Sequence, residues 1–263
     1  MKTPQLLYYD LSPRVTAFSS TRHGGYGTGT YAEWNINRYS GDDAAHIEAN
    51  RAALLELLGI SSEALIMPHQ NHGTNGVVID DAFLSLPPEA KAAALEGRDY
   101  IATDKPGICI GVSTADCVPI LLCSATHGVI IAIHAGWRGT LSRIASIAVR
   151  AMAGHYGFAP SSLCAVIGPS ISQAAFEVGD EVYDAFRGAG FDMDEIAVRT
   201  GEKWHIDLWR ANEQELTAAG VRAERIHTAG ICTWTRHNDF FSARREGIRS
   251  GRIFSGLIIK AEP

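Results

Sequence analysis

Thr114-Ala115-Asp116-Cys117-Val118-Pro119 opens the stretch that decides the fold, and His134-Ala135-Gly136-Trp137-Arg138-Gly139 closes it. Between them lie Ile120-Leu121-Leu122 and Val129-Ile130-Ile131-Ala132-Ile133, separated by the polar segment from Ser124 to Gly128. Short continuous apolar runs bounded by turn residues read as buried strands, so the stretch predicts two sheet-core strands joined by a short loop. Asp116 and Cys117 stand before the first strand, and His134 follows the second. A thiol, an imidazole and the Arg138 guanidinium are thereby gathered at strand ends, where a stiff sheet can hold side chains that face a cleft. This is the expected centre of an active site.

Upstream, Val15–Ser20 reads as a strand and runs into the glycine-rich Thr21-Arg22-His23-Gly24-Gly25-Tyr26-Gly27-Thr28-Gly29. That loop matches no phosphate-binding fingerprint; it reads either as a surface turn or as a lid carrying Arg22 to an anion. Asp42 and Asp43 can cap a helix to about Leu58, stopped by Gly59, with Ile47, Leu54, Leu55 and Leu58 on one face. Leu65-Ile66-Met67 predicts a short strand ending in the polar turn Pro68-His69-Gln70-Asn71-His72-Gly73, and Val77-Val78-Ile79 predicts another. A small helix is expected from Pro88 to about Glu96, and a strand over Ile108–Val112.

Downstream of Gly139, Leu141, Ile144, Ala148 and Met152 share one face of a predicted helix. Its first turn lies close to Arg138 and could help hold an anion there. Leu163–Pro169 predicts a buried strand and turn, Glu177–Phe186 and Asp207–Ala219 helices, and Ile253–Ile259 a last strand. Strands and helices mix without a strict βαβ rhythm. The expectation is therefore one α+β domain over residues 1–263, with mixed sheets and helices packed outside.

The 263 residues are 46% hydrophobic and 20% charged, as expected of a folded globular chain. A net charge of −6 argues against broad binding to nucleic acid or to an anionic membrane. No apolar stretch is long enough to span a bilayer, and the N-terminus lacks a secretory core, so a cytoplasmic location is expected. The five cysteines form no CxxC pair, which disfavours a disulfide framework or a zinc knuckle. Cys109, Cys123 and Cys164 sit in apolar runs and are expected in the core.

The chemistry follows from Cys117, His134 and a histidine of the upstream turn. One thiolate and two imidazoles suit a zinc ion with a fourth position open to water or substrate. His69 and His72 both stand in that turn, and spacing does not choose between them. The same atoms allow a second reading, with Cys117 as nucleophile, His134 as its base and Asp116 orienting the site. The 10 histidines include no His-x-His pair of the kind multicopper centres use. The nucleobase-deaminase HxE/PCxxC pattern and a GxSxG elbow are also absent. Arg22, Arg138, Arg244 and Arg245 lie in turn-like segments, and as a set they suggest a phosphate or carboxylate site.

At these residues the chain resembles the YfiH-like family, also called the multicopper polyphenol oxidase (laccase) domain family. The matching pieces run nearly end to end. Among them are Phe18–Gly25, Asn35-Ile36-Asn37, Gly41-Asp42-Asp43, Glu48-Ala49-Asn50-Arg51, His69–Gly73, Ile167–Ile171 and Phe241–Arg245, with Thr114–Pro119 and His134–Gly139 the most specific. The resemblance implies a fold also likened to cysteine hydrolases, and a zinc site on His72, Cys117 and His134, with copper as the alternative metal. It implies phosphorolysis of purine nucleosides and deamination of adenosine. Purine nucleosides and phosphate are then the partners of a monomer or small homo-oligomer. Cys117, His134, His72 and Asp116 become the expected catalytic residues, and Arg22, Asn35, Gln70, Arg138 and Arg244 the expected substrate contacts.

Three alternatives stand beside that reading: a cysteine amidase acting on a peptidoglycan precursor, a copper-dependent polyphenol oxidase, and a non-enzymatic metal binder. Two segments depart from the family pattern. Arg98-Asp99-Tyr100 stands where relatives usually have Ala-Asp-Ala, and Ala243 where an aromatic is common; both are placed to alter the pocket wall.

Overall fold

Val118–Ser124 and Val129–Ala135 pair antiparallel, from Val118 opposite Ala135 to Ser124 opposite Val129, at the centre of a six-stranded sheet. The computed structural model describes residues 2–260. Across this sheet the order is Ile226–Thr228, Cys164–Ile167, Val118–Ser124, Val129–Ala135, Tyr100–Thr103 and Gly76–Ile79. The central pairings are antiparallel and the outermost pair on each side is parallel. A second, five-stranded sheet runs Leu6–Tyr9, Val15–Ser20, Ile253–Ile259, Cys109–Thr114 and Leu65–Ile66.

Every residue of the two central strands is buried. Side chains alternate between faces along a strand, and both faces here are covered. Leu121, Cys123, Ile130 and Ala132 pack with Ile110, Val112 and Leu257 of the second sheet. Ile120, Leu122, Ile131 and Ile133 pack with the helices Ile144–Tyr156 and Leu208–Ala218. The far face of the second sheet, with Phe18, Cys109 and Phe254, is covered by Leu54 of the helix Ala44–Leu58 and by Trp34 and Ile36. The result is a four-layer helix–sheet–sheet–helix stack. Strands buried on both faces lose the apolar–polar alternation of a half-exposed sheet, which is why the central runs are continuously apolar.

The α+β architecture with mixed sheets and outer helices is the one expected. The helix Ala44–Leu58 starts where the Asp43 carboxylate accepts the N–H groups of Ala45 and His46, and it ends at Gly59 in the left-handed region. Two expectations need correction. The helix after His134 is two helices, Trp137–Leu141 and Ile144–Tyr156, broken at Arg143, whose φ is 63°. The Arg143 guanidinium lies 3.7 Å over the Phe191 ring, pairs with Glu215 and donates to the Ala189 carbonyl, contacts that hold the break in place. Glu177–Val178 is a strand, and the helix begins at Asp180 because Glu177–Val178 pairs with Lys203–Ile206 in a small third sheet.

The glycine-rich loop resolves as a packed turn. A Cβ on Gly24 would lie 2.0 Å from the Thr3 carbonyl oxygen, and one on Gly25 would lie 2.3 Å from that of Glu33. Its glycines serve close backbone approach. No helix among the described residues is long and apolar enough to cross a membrane.

Candidate metal centre

Strand register builds the site. Pro119 lies opposite His134, so Cys117, two residues earlier, falls beside Gly136. Tyr100 lies opposite Ile133, so Asp99 falls beside His134, and the His134 N–H donates to the Asp99 carbonyl at 2.7 Å. The turn after Leu65–Ile66 adds His72, whose own N–H donates to Asp99 Oδ1 at 3.0 Å. The ligating atoms of His72, Cys117 and His134 all lie within 4.8 Å of one another. The two imidazole rings stand edge to face, with centroids 4.8 Å apart. His134 is buried, Cys117 half-buried and His72 exposed, so the group is graded from the sheet interior to solvent.

This donor set fits a zinc ion: two imidazoles, one thiolate and an exposed side where a fourth ligand can sit. Space fits as well. A Cβ on Gly136 would come 3.0 Å from Cys117 Sγ and 3.1 Å from His72 Cδ2, so a side chain there would press on both ligating residues.

Electrostatics favour the thiolate. Burial alone would raise the Cys117 thiol, but the His134 and His72 imidazoles outweigh burial and draw it down to about 6. His134 mirrors this. Burial would lower it, while the Cys117 thiolate and the Asp99 carboxylate push it up to about 9. Asp99 is fully buried and accepts from His134 Nδ1 at 2.7 Å. Burial would raise its carboxyl, yet His134 and the backbone N–H groups of Gly73 and His72 hold it below the usual carboxylate range. With Nδ1 donating to Asp99, the Nε2 of His134 is the nitrogen left for a metal.

Asp99 is the residue that sequence reasoning missed as functional. Its signal was a carboxylate immediately before a buried strand, Tyr100–Thr103, that pairs with the strand carrying His134. Arg252 was also missed. Its half-buried guanidinium is held by the carbonyls of Ser250, Gly251 and Ile248, close enough to Cys117 and Asp116 for their charges to act on it. It enters from the far end of the chain, and nothing local in its sequence marks it.

The other expected residues divide. Asp116 has a positive φ of 84° and His72 one of 66°, conformations that bulky residues adopt at a cost and that gather at functional sites. Asp116 accepts from the Thr233 hydroxyl and the Arg244 N–H, both at 2.6 Å, tying the C-terminal loops to the turn of Cys117. Arg138 is exposed, lies 4.3 Å over the Trp137 ring and makes no ion pair among the described residues. Arg244 is exposed beside Phe176, with Nη1 on the Glu177 carbonyl. Arg245 lies over Trp234.

Three of the expected substrate contacts make hydrogen bonds within the chain. The Gln70 amide donates to the Ser113 carbonyl and accepts its N–H, both at 2.8 Å, clamping the turn to the second sheet. Asn35 is fully buried, donates to Ser40 and Asp42, and accepts from the N–H groups of Asn37 and Arg252. Arg22 is held by the carbonyls of Ala32 and His237 and by Glu246. These bonds tie all three side chains to neighbouring segments.

A family model described as multi-copper polyphenol oxidoreductase laccase matches residues 16–260. The chain belongs to this family. The matched span contains His72, Cys117 and His134. A purine nucleoside phosphorylase of Bacteroides thetaiotaomicron is 46% identical over 93% of this chain and 92% of its own length. An adenosine deaminase RL5 from an unknown prokaryotic organism is 46% identical, with 94% of each chain covered. The crystal structure of the Bacillus licheniformis hypothetical protein YfiH superposes with a TM-score of 0.90 at 26% identity, covering 98% of this chain and 97% of that one.

Proposed function

We propose that the chain is a zinc-dependent purine nucleoside phosphorylase that also deaminates adenosine, with His72, Cys117 and His134 holding the metal. The convergence of their three ligating atoms within 4.8 Å at the strand ends carries this reading. The relatives named for nucleoside chemistry cover nearly the whole chain and support it. A bound zinc would supply a Lewis acid and a water ionising near about pH 7.

The chain's own groups do the rest. Asp99 fixes the His134 tautomer and ring orientation and, through the N–H of His72, the turn that carries the second imidazole. Asp116 holds Arg244 against the site through its backbone N–H. Phosphorolysis passes through a cation-like sugar, and a phosphate placed beside the ring stabilises it. Arg138 and Arg244 are the cations for that phosphate, since Arg22 is already paired with Glu246. A single three-residue ligating group among the described residues favours hydrolytic and transfer chemistry over multicopper oxidation.

Inosine with phosphate and the purified protein tests this: hypoxanthine and ribose phosphate are expected, and neither should form when phosphate is omitted. Absence of hypoxanthine release by zinc-loaded protein sinks the phosphorylase reading. A second reading draws on the Cys117–His134–Asp99 chain, which also has the order of a nucleophile, base and orienting carboxylate. It predicts an amidase that works without metal, is inhibited by zinc and leaves a covalent adduct on Cys117.

A further inference from the structure

Away from the metal centre, a cavity of about 540 Å³ opens between the helices Ala44–Leu58 and Pro88–Leu95, the strand Leu65–Ile66 and the segment from Ile36 to Tyr39. That volume lies within the range of small-molecule sites. Leu55, Leu65, Met67 and Phe83 give it apolar walls. None of the metal-ligating residues lines it.

Three cations, Arg38, Arg51 and Lys91, line it against two carboxylates, Glu48 and Glu63. Arg38 is paired through two nitrogens with Glu48, at 2.7 and 2.8 Å. Arg51 and Lys91 also line the cavity and form no ion pair among the described residues. Arg51 is half-buried, and Nη1 makes only two long contacts, 3.4 Å to the Ile36 carbonyl and 3.5 Å to Met67 Sδ. A guanidinium carries five N–H donors and stays protonated. Most of this fork therefore has no acceptor among the described residues. A partly buried cation whose neighbouring carboxylate is engaged by another cation is costly, and an incoming anion lowers that cost. Burial, and then the like charge of Arg38, push the Arg51 guanidinium down and outweigh the opposing pull of Glu48, whose carboxylate is already bonded to Arg38.

We propose that this cavity is a second ligand site, taking a small amphipathic anion whose aromatic or aliphatic body fills the apolar walls and whose single carboxylate or phosphate pairs with Arg51. The site is also next to the catalytic turn. Met67 and Pro68 form part of its wall and lead directly to His69, which stacks on Tyr39 with ring centroids 3.8 Å apart. The proposal stands apart from the nucleoside reading and survives its failure.

The test is calorimetric titration of the full chain with 1-naphthoate, with 1-naphthyl phosphate and with uncharged 1-naphthol. One anion is expected to bind at one site per chain, and the tighter of the two identifies the head group. Naphthol, which lacks the charge, should bind at least about tenfold more weakly, the scale of one lost charge-assisted pair. Arg51→Met should cost a similar factor, and Ala52→Trp, which fills the cavity from the helix surface, should abolish binding. Cys117→Ala should bind the probe as wild type does. Thermal melts establish that Arg51→Met is folded, and Ala52→Trp decides the matter if it is not. Failure of both anions to bind at millimolar concentration overturns the proposal, as does unchanged binding in Ala52→Trp or loss of binding in Cys117→Ala. Equal affinity for naphthol overturns the assignment of Arg51.

Discussion

Cys117 and Cys123 lie on one short piece of chain, six positions apart, and their thiols have opposite character. Cys123, inside the strand and fully buried between the sheets, is pushed up to about 12 by burial. Cys109 on the facing sheet behaves the same way. Cys117, just before the strand begins, is pulled down to about 6 by His134 and His72 despite burial. Position relative to the strand end decides the difference: inside the sheet the Cys123 thiol meets apolar side chains and the Leu11 carbonyl, while at the strand end an adjacent strand and a turn deliver imidazoles. The same residue type is inert filling in one place and a ligand or nucleophile in the other.

The largest effect expected of this contrast comes from paired substitutions. Cys117→Ala should lose bound metal and at least about a thousandfold in turnover, because a ligand to the catalytic ion is gone. Cys123→Ala should keep metal and turnover and lose about 1 kcal/mol of stability in denaturant unfolding. Equal metal content in the two variants would break the comparison.

Alkylation of metal-free protein sharpens it. The thiolate is the reactive form, and Cys117 loses its proton as pH rises through about 6. Its rate with iodoacetamide should therefore climb across roughly one pH unit either side of that value and then level off. Cys123 should stay unmodified until the chain unfolds, as peptide mapping would show. A Cys117 rate that keeps rising beyond neutral pH would contradict the imidazole pairing.

Asp99→Asn removes the carboxylate behind His134 and should weaken zinc binding about 10- to 100-fold in a chelator competition. The smallest effect belongs to Gly136→Ala. Its φ of −65° and ψ of 169° suit any residue, so only the added methyl beside Cys117 and His72 acts, and zinc affinity should fall by no more than about tenfold. An unchanged affinity would mean that the backbone does not crowd the site.

Much of this was legible in the chain itself. The continuous apolar runs around Cys117 and His134 announced doubly buried strands, and the capped helix at Asp43 was readable from local residues alone. The break at Arg143 was not, because it depends on Phe191 and Glu215, which lie far along the sequence. At the site, spacing left His69 and His72 equivalent and the family resemblance pointed to His72; in the fold His69 Nδ1 pairs with Glu96 at 2.8 Å while His72 lies beside Cys117. The partners of Gln70, Asn35 and Arg22 are distant backbone and side-chain atoms, which no local stretch of sequence shows. Asp99 escaped for the converse reason, since its importance comes from strand register.

Zinc K-edge X-ray absorption of the purified, zinc-loaded protein asks most directly whether these three side chains bind one ion. The account predicts a single sulfur scatterer near about 2.3 Å with nitrogen or oxygen neighbours at roughly 2.0–2.1 Å, and loss of the sulfur in Cys117→Ala. A spectrum with no sulfur neighbour, or with the sulfur retained in that variant, would contradict it.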